Sequence, residues 1–383
     1  MSATVFFYLV FFTYLATFRY PATAGLYSLL AVVLYVSNRP KLPDVAHRKK
    51  LVGIGVILLL NVLLIPVVGA NWRELAFLVY ILFLALALEN TRVDMGDFLT
   101  FINVTYIVYA LLSYLVYFGV FNAGFRDEVE QLNQFNELYF ETWITTLIGY
   151  DGGTGGIDAY SMLVLILNFA YRKGRRESWF MIVLTLVNTL WTLRLTPWAM
   201  VLIPLLVVAL PKSISRRSTY ILVFLIFVSF LFPMILQYFA TIDEVIFGLI
   251  THGRSDIWGA YADIMSHAPW LNMLFGFREH DLPFVEVWGG TTLLNNPHSS
   301  YLRILLSFGV VLYALFYLFM SRRAADVEDR RSLFIMMAVL VAAITSDVIL
   351  YNHNPVFLFT FFVLAARSAG DGSRPVPSIQ QVS

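Results

Sequence analysis

Long apolar runs, broken by short polar and basic stretches, cover most of this chain. They lie near Ser2 to Phe18, Pro21 to Ser37, Leu51 to Ala70, Trp72 to Leu88 and Phe98 to Phe121, then Ile157 to Tyr171, Ser178 to Leu193, Pro197 to Leu210 and Ser218 to Ala240. Ser300 to Met320, Ser332 to Leu350 and Pro355 to Ala366 complete the set. A helix needs roughly 17 to 25 apolar residues to cross a hydrocarbon core. The pattern therefore predicts an all-α fold: a polytopic membrane protein of about 12 transmembrane helices, with a large late extracytoplasmic loop containing short helices. The boundaries follow directly: 1–121 for helices one to five, 122–156 for a first outer loop, 157–240 for helices six to nine, 241–299 for the major loop, 300–367 for helices ten to twelve, and a polar tail at 368–383. That tail is rich in Pro, Gly and Ser and reads as disordered.

Composition agrees with the pattern. A hydrophobic fraction of 59% with only 13% charged residues lies outside the range of soluble domains. A net charge of +1 argues against binding nucleic acid, which needs a concentrated basic surface. Cysteine is absent, which removes disulfides, thiolate chemistry and Cys-ligated metal. The first run has neither a basic leader nor a small-residue cleavage site, so it is expected to be retained as a span.

Charge also orients the bundle. With both termini in the cytoplasm, nineteen of the 26 Lys and Arg residues fall inside, and seven fall outside: Arg19, Arg73, Arg126, Arg194, Arg254, Arg278 and Arg303. This is the asymmetry that sets membrane orientation. The loops 122–156 and 241–299 then lie outside. In the first of them, Val129, Leu132, Phe135, Leu138 and Tyr139 recur with the spacing of an amphipathic interfacial helix. Gly152, Gly153, Gly155 and Gly156 follow without the Lys-Ser/Thr pair of a nucleotide loop, and read as a hinge.

Chemistry is sought in the major loop, which holds Arg254, Arg278, His267, His280 and His298 between apolar segments. Ile257, Trp258, Tyr261, Ile264 and Met265 repeat at helical spacing, while Asp256 and Asp263 fall off that stripe, so a surface helix is predicted with Arg254 and Ser255 at its start. Free N–H groups and the dipole at such a start favour an anion, and a guanidinium beside them adds charge; contact with lipid headgroups is the competing role for Arg254. Arg194 lies in a short outer turn, with Thr196 as the expected N-cap and Pro197 at the first helical position. His298 precedes Ser299 and Ser300, which are expected to cap the tenth span and set an imidazole at the water–lipid boundary. His353 and Asn354 repeat the arrangement before Pro355.

The stretch GRSDIWGAYADIMSHAPWLNMLFGFRE from Gly253, followed by PHSSYLRILLSFG from Pro297, resembles the late periplasmic-loop signature of the O-antigen polymerase and O-antigen ligase superfamily. The features in common are a Gly-Arg step, a nearby Trp, a histidine and proline before a Gly-containing turn, and a histidine introducing a helix with Gly near its middle. Where the family commonly has Asn after that histidine this chain has Ser299, and Ala268 separates His267 from Pro269. The resemblance implies a metal-independent glycosyltransferase without cofactor, in the bacterial inner membrane, that moves a glycan from a polyprenyl-pyrophosphate carrier to a hydroxyl on the periplasmic face. It also implies Arg254 and Arg194 as holders of the pyrophosphate and His298 as activator of the acceptor. Arg278, Arg303, His353, Trp258 and Ser299 are expected to bind substrate. Expected partners are the polyprenyl-pyrophosphate-linked oligosaccharide, membrane lipid and a chain-length regulator.

Three activities compete on this reading. A polymerase extends a carrier-linked repeat; a ligase delivers glycan to lipid A-core. The few outer cations favour the polymerase, since they leave little to grip a heavily phosphorylated core. A transporter or flippase is opposed by the lack of internal duplication and by charges that avoid the span centres.

Overall fold

The computed structural model describes residues 1–16, 22–39, 45–68, 72–91, 93–117, 157–171, 176–192, 195–209, 254–277, 285–287, 291–293, 299–325, 327, 329–345 and 355–371. The helices in order are α1 (Ala3–Ala16), α2 (Ala22–Asn38), α3 (Val45–Val68), α4 (Trp72–Glu89), α5 (Met95–Tyr117), α6 (Ile157–Tyr171), α7 (Arg176–Thr192) and α8 (Leu195–Ala209). There follow α9 (Arg254–His267), α10 (Trp270–Phe275), strands β1 (Val285–Val287) and β2 (Thr291–Leu293), α11 (Ser300–Ala325), α12 (Arg330–Thr345) and α13 (Val356–Asp371). Eleven of the twelve predicted runs carry a helix. The ninth, Ser218 to Ala240, lies outside the described residues, as does the loop 122–156 with its expected interfacial helix and glycines.

The packing has the polarity of a protein dissolved in lipid. On α7, Ser178, Thr185, Asn188 and Thr189 are buried, while Trp179, Phe180, Val183, Val187 and Leu190 are exposed. Water would not tolerate such faces, and similar apolar rows on α2, α3 and α8 repeat the pattern. Lipid supplies no hydrogen bonds, so polar groups facing inward on α5, α6 and α7 pair with one another or with backbone carbonyls. Asn103 on α5 and Asn168 on α6 exchange amide hydrogen bonds of 3.2 and 2.7 Å. Thr105 bonds Tyr160 at 2.7 Å, and Tyr106 bonds both Ser161 at 2.8 Å and Asn188 at 2.5 Å, so one polar seam joins α5, α6 and α7. Elsewhere the core is aromatic: Phe7 on α1 meets Phe101 of α5 at 5.5 Å and Phe359 of α13 at 4.6 Å between ring centroids.

Helix ends that the charge pattern assigns to one side do meet. Glu89 at the end of α4 accepts from Lys50 on α3 at 2.9 Å and pairs with Arg323 near the end of α11. Asp329 caps α12, accepting from the backbone of Arg331 and Ser332 at 3.2 Å and from the Ser332 hydroxyl at 2.7 Å, while Tyr171 at the end of α6 donates to it at 3.3 Å. Burial pushes the Asp329 carboxyl up, but those donors outweigh it and hold its pKa below the ordinary aspartate value.

Among the described residues, two stretches have the length and hydropathy to cross a bilayer, Met95–Leu112 and Ser300–Met320. The second does not run straight. Gly309 has φ 69° and ψ 179° inside α11, and Tyr301 stacks on Tyr317 with centroids 4.7 Å apart and planes 8° from parallel. Sixteen residues of unbroken helix would separate these two by about 24 Å. The helix is therefore folded back at Gly309 into a first arm, 300–308, and a second arm, 310–325. The tenth run, predicted as one span, is a helical hairpin.

Three smaller expectations also change. The major loop holds strands as well as short helices, with Val285 opposite Leu293 and Val287 opposite Thr291 in an antiparallel pair. α13 continues to Asp371, so helix extends past Ser368 where disorder was expected. α8 begins at Leu195, which puts Thr196 inside the helix and not at its cap.

Candidate functional site

The major loop begins its described part with α9, and the apolar stripe read from sequence decides which face it buries. Trp258 is 2% exposed and Tyr261 is fully buried, both against Leu302 and Leu306 of the first arm of α11, with Phe277 closing the cluster. Ile264 and Met265 are half-buried beside them, and Asp263 faces solvent. Arg254 is the first residue of α9, one helical turn before Trp258. At the other end His267 is exposed, its ring 3.0 Å from the Asp263 carbonyl and 3.4 Å from the Asp263 carboxylate, so it ties off its own helix.

α10 follows after Pro269 and packs on α11 and α3. It ends at Gly276, which has φ 93° and whose N–H reaches the Asn272 carbonyl at 2.8 Å. The next residue, Phe277, donates its N–H to the Leu306 carbonyl at 2.7 Å. A helix break leaves the carbonyls just before it without regular donors, so the chain leaving α10 completes the first arm. This contact stitches the loop to the hairpin.

The first arm of α11 starts at Ser299 and Ser300, which are 3% and 0% exposed. The Ser299 carbonyl receives the Arg303 N–H at 2.9 Å, and its hydroxyl sits 3.5 Å from the Leu302 N–H, at the outer limit of a capping bond. Arg303 is 7% exposed. Tyr301 donates to the Leu340 carbonyl on α12 at 3.0 Å, which fixes this arm inside the bundle. The beginning of the arm is thus recessed into the protein.

The fold brings together the helix that Arg254 begins, Trp258 on that helix, and the arm carrying Ser299 and Arg303. Arg194, Arg278, His298 and His353 lie outside the described residues, as does the side chain of Arg254. Sequence reasoning missed Gly276 and Gly309 as determinants of this arrangement. For Gly276 a signal existed: it follows Phe275 at the end of a short apolar stretch, the usual place of a glycine that ends a helix.

An inside-polar, outside-apolar bundle carrying short loop helices against a broken helix fits an integral membrane protein. The O-antigen ligase family model matches residues 180–317. That match supports a likeness of this segment to the O-antigen polymerase and ligase superfamily, whose members are glycosyltransferase-like membrane enzymes. No curated protein and no solved structure is matched by the chain.

Proposed function

We propose that this protein is a polysaccharide polymerase of the bacterial inner membrane, with both termini in the cytoplasm. It transfers glycan from a polyprenyl-pyrophosphate carrier to a hydroxyl of a carrier-linked repeat on the periplasmic side. One observation carries the reading: the matched segment, 180–317, contains Arg194, Arg254, Trp258, Arg278, His298, Ser299 and Arg303, and two of its helices begin next to Arg254 and His298.

The chemistry asks for little more. As the glycosidic bond breaks, its electron pair goes to the diphosphate, whose charge grows. Guanidinium groups of Arg254 and Arg194 beside a helix start stabilise that charge more in the transition state than in the bound carrier. A metal ion is not needed for this role. His298 takes the proton of the attacking hydroxyl, and an imidazole with a pKa near neutrality suits that task. Arg278, Arg303, His353, Trp258 and Ser299 then hold carrier and glycan, and membrane lipid and a chain-length regulator are the further partners.

A ligase reading has support in the description of the matched family. Purified protein incubated with carrier-linked repeat alone separates the two. Chain growth marks a polymerase; no product until lipid A-core is supplied marks a ligase. A broken, buried helix is also found in carriers, and movement of intact carrier-linked repeat across a vesicle without bond transfer would replace both readings.

A further inference from the structure

The two glycines with positive φ meet each other's helices. A Cβ on Gly276 would collide with the backbone carbonyl of Ser307, and a Cβ on Gly309 would collide with the backbone carbonyl of Leu274. Both have ψ near 180°, at 178° and 179°, a combination open in practice only to glycine. Neither collision is with a movable side chain. The two backbones therefore cross in direct contact at one point, where α10 ends and α11 folds.

That crossing decides where the first arm goes. Were α11 continuous, its length of 26 residues would carry Ser300 and Tyr301 about 24 Å from Tyr317, out of the bundle. Folded, the arm lies along its own second half, held by the stacked tyrosines, by Phe277 on the Leu306 carbonyl, and by Trp258 and Tyr261 against Leu302 and Leu306. Irregular backbone at membrane depth is tolerated when protein surrounds it, and residues 301 to 309 are all buried.

We propose that Gly276 and Gly309 are positioning residues: their crossing holds the start of α11, with Ser299 and Arg303, recessed beside the helix that begins at Arg254. The link to catalysis rests on the glycan-transfer reading above. The folded hairpin stands apart from it.

The protein has no cysteine, so a Tyr301→Cys/Tyr317→Cys pair is free of background thiols. A short bis-maleimide should join the pair within one chain when Gly309 is present. It should fail in the same pair carrying Gly309→Ala or Gly276→Ala, because Ala favours the unbroken helix and cannot enter the crossing. With the tyrosines intact, Gly309→Ala should lower kcat for glycan transfer at least tenfold while KM for the carrier moves less than threefold. Misplacing bound reactants by about 1 Å can cost a factor of about a hundred. Gly53→Ala, where nothing lies within 4 Å, should change neither measurement. Should Gly309→Ala fail to insert, Leu306→Ala loosens the arm against α9 without a backbone clash and should lower kcat in the same sense. Crosslinking that persists in Gly309→Ala, or unchanged kcat in an inserted Gly309→Ala or in Leu306→Ala, overturns the joint. A wild-type protein that transfers no glycan overturns the functional reading instead, and the crosslink still decides the hairpin.

Discussion

Arg254 and His298 answer two different demands of the proposed reaction, charge on the leaving group and a proton on the attacking one. Replacing either by Ala should cost about 10² to 10³ in extension rate, with membrane insertion intact, read as loss of long products in a chain-length distribution. Wild-type lengths from either variant would remove that residue from the mechanism. Arg254→Lys should also fail, since an ammonium keeps the charge but loses the two-point fork that grips phosphate. Legibility at this scale depended on the residue type. An arginine at a helix start announces itself in sequence, as Arg254 does, because helical period and position are local. Gly309 did not, because a glycine within an apolar run is tolerated in many helices, and only the backbone of Leu274, 35 positions earlier, makes it obligatory.

At the scale of elements, helices were legible because apolar runs and end signals are local, and their partners were not. The cap of α12 shows what the ends contribute. Asp329→Ala should destabilise the protein by about 1 kcal/mol, seen as a lower midpoint of thermal unfolding in detergent. The same group predicts a pH dependence. Its folded pKa lies below the ordinary value of 3.8, so its contribution is present above that value and is lost as pH falls from there through the lower folded pKa. Near pH 7 the carboxylate keeps its full effect, and the wild-type advantage over Asp329→Ala should shrink only in strong acid. The α5–α6 seam gives a second test. Asn168→Leu strands the Asn103 amide in an apolar interior at a cost of about 1 kcal/mol, and Asn103→Leu on top of it should recover most of that loss in the same unfolding assay. A double variant as unstable as the single one would show that the pair does not act as a unit. The β1–β2 pair was open to local reading, since Val285, Val287, Thr291 and Thr292 flank Gly289 and Gly290, but its shortness hid it under the helical reading of the loop.

For the whole molecule, orientation is the property on which the enzymatic reading depends. A single cysteine at Trp270, which is 67% exposed on α10, should react with a membrane-impermeant maleimide in cells whose inner membrane is intact. One at Lys49, on α3, should react only after permeabilisation. The reverse result would turn the major loop toward the cytosol and leave no route to an extracytoplasmic acceptor. The meeting of Lys50, Glu89 and Arg323 agrees with the charge asymmetry about which helix ends share a side. Amino-acid order alone was enough for the membrane class, the positions of most helices and the family signature. Each of these rests on composition or on a period of a few residues, and such signals survive without knowledge of neighbours. The folding back of α11 and the recessed start of its first arm were decided only in three dimensions. A Gly-containing apolar run has the same pattern whether straight or bent, and what bends it is close contact with a backbone brought in from the preceding loop.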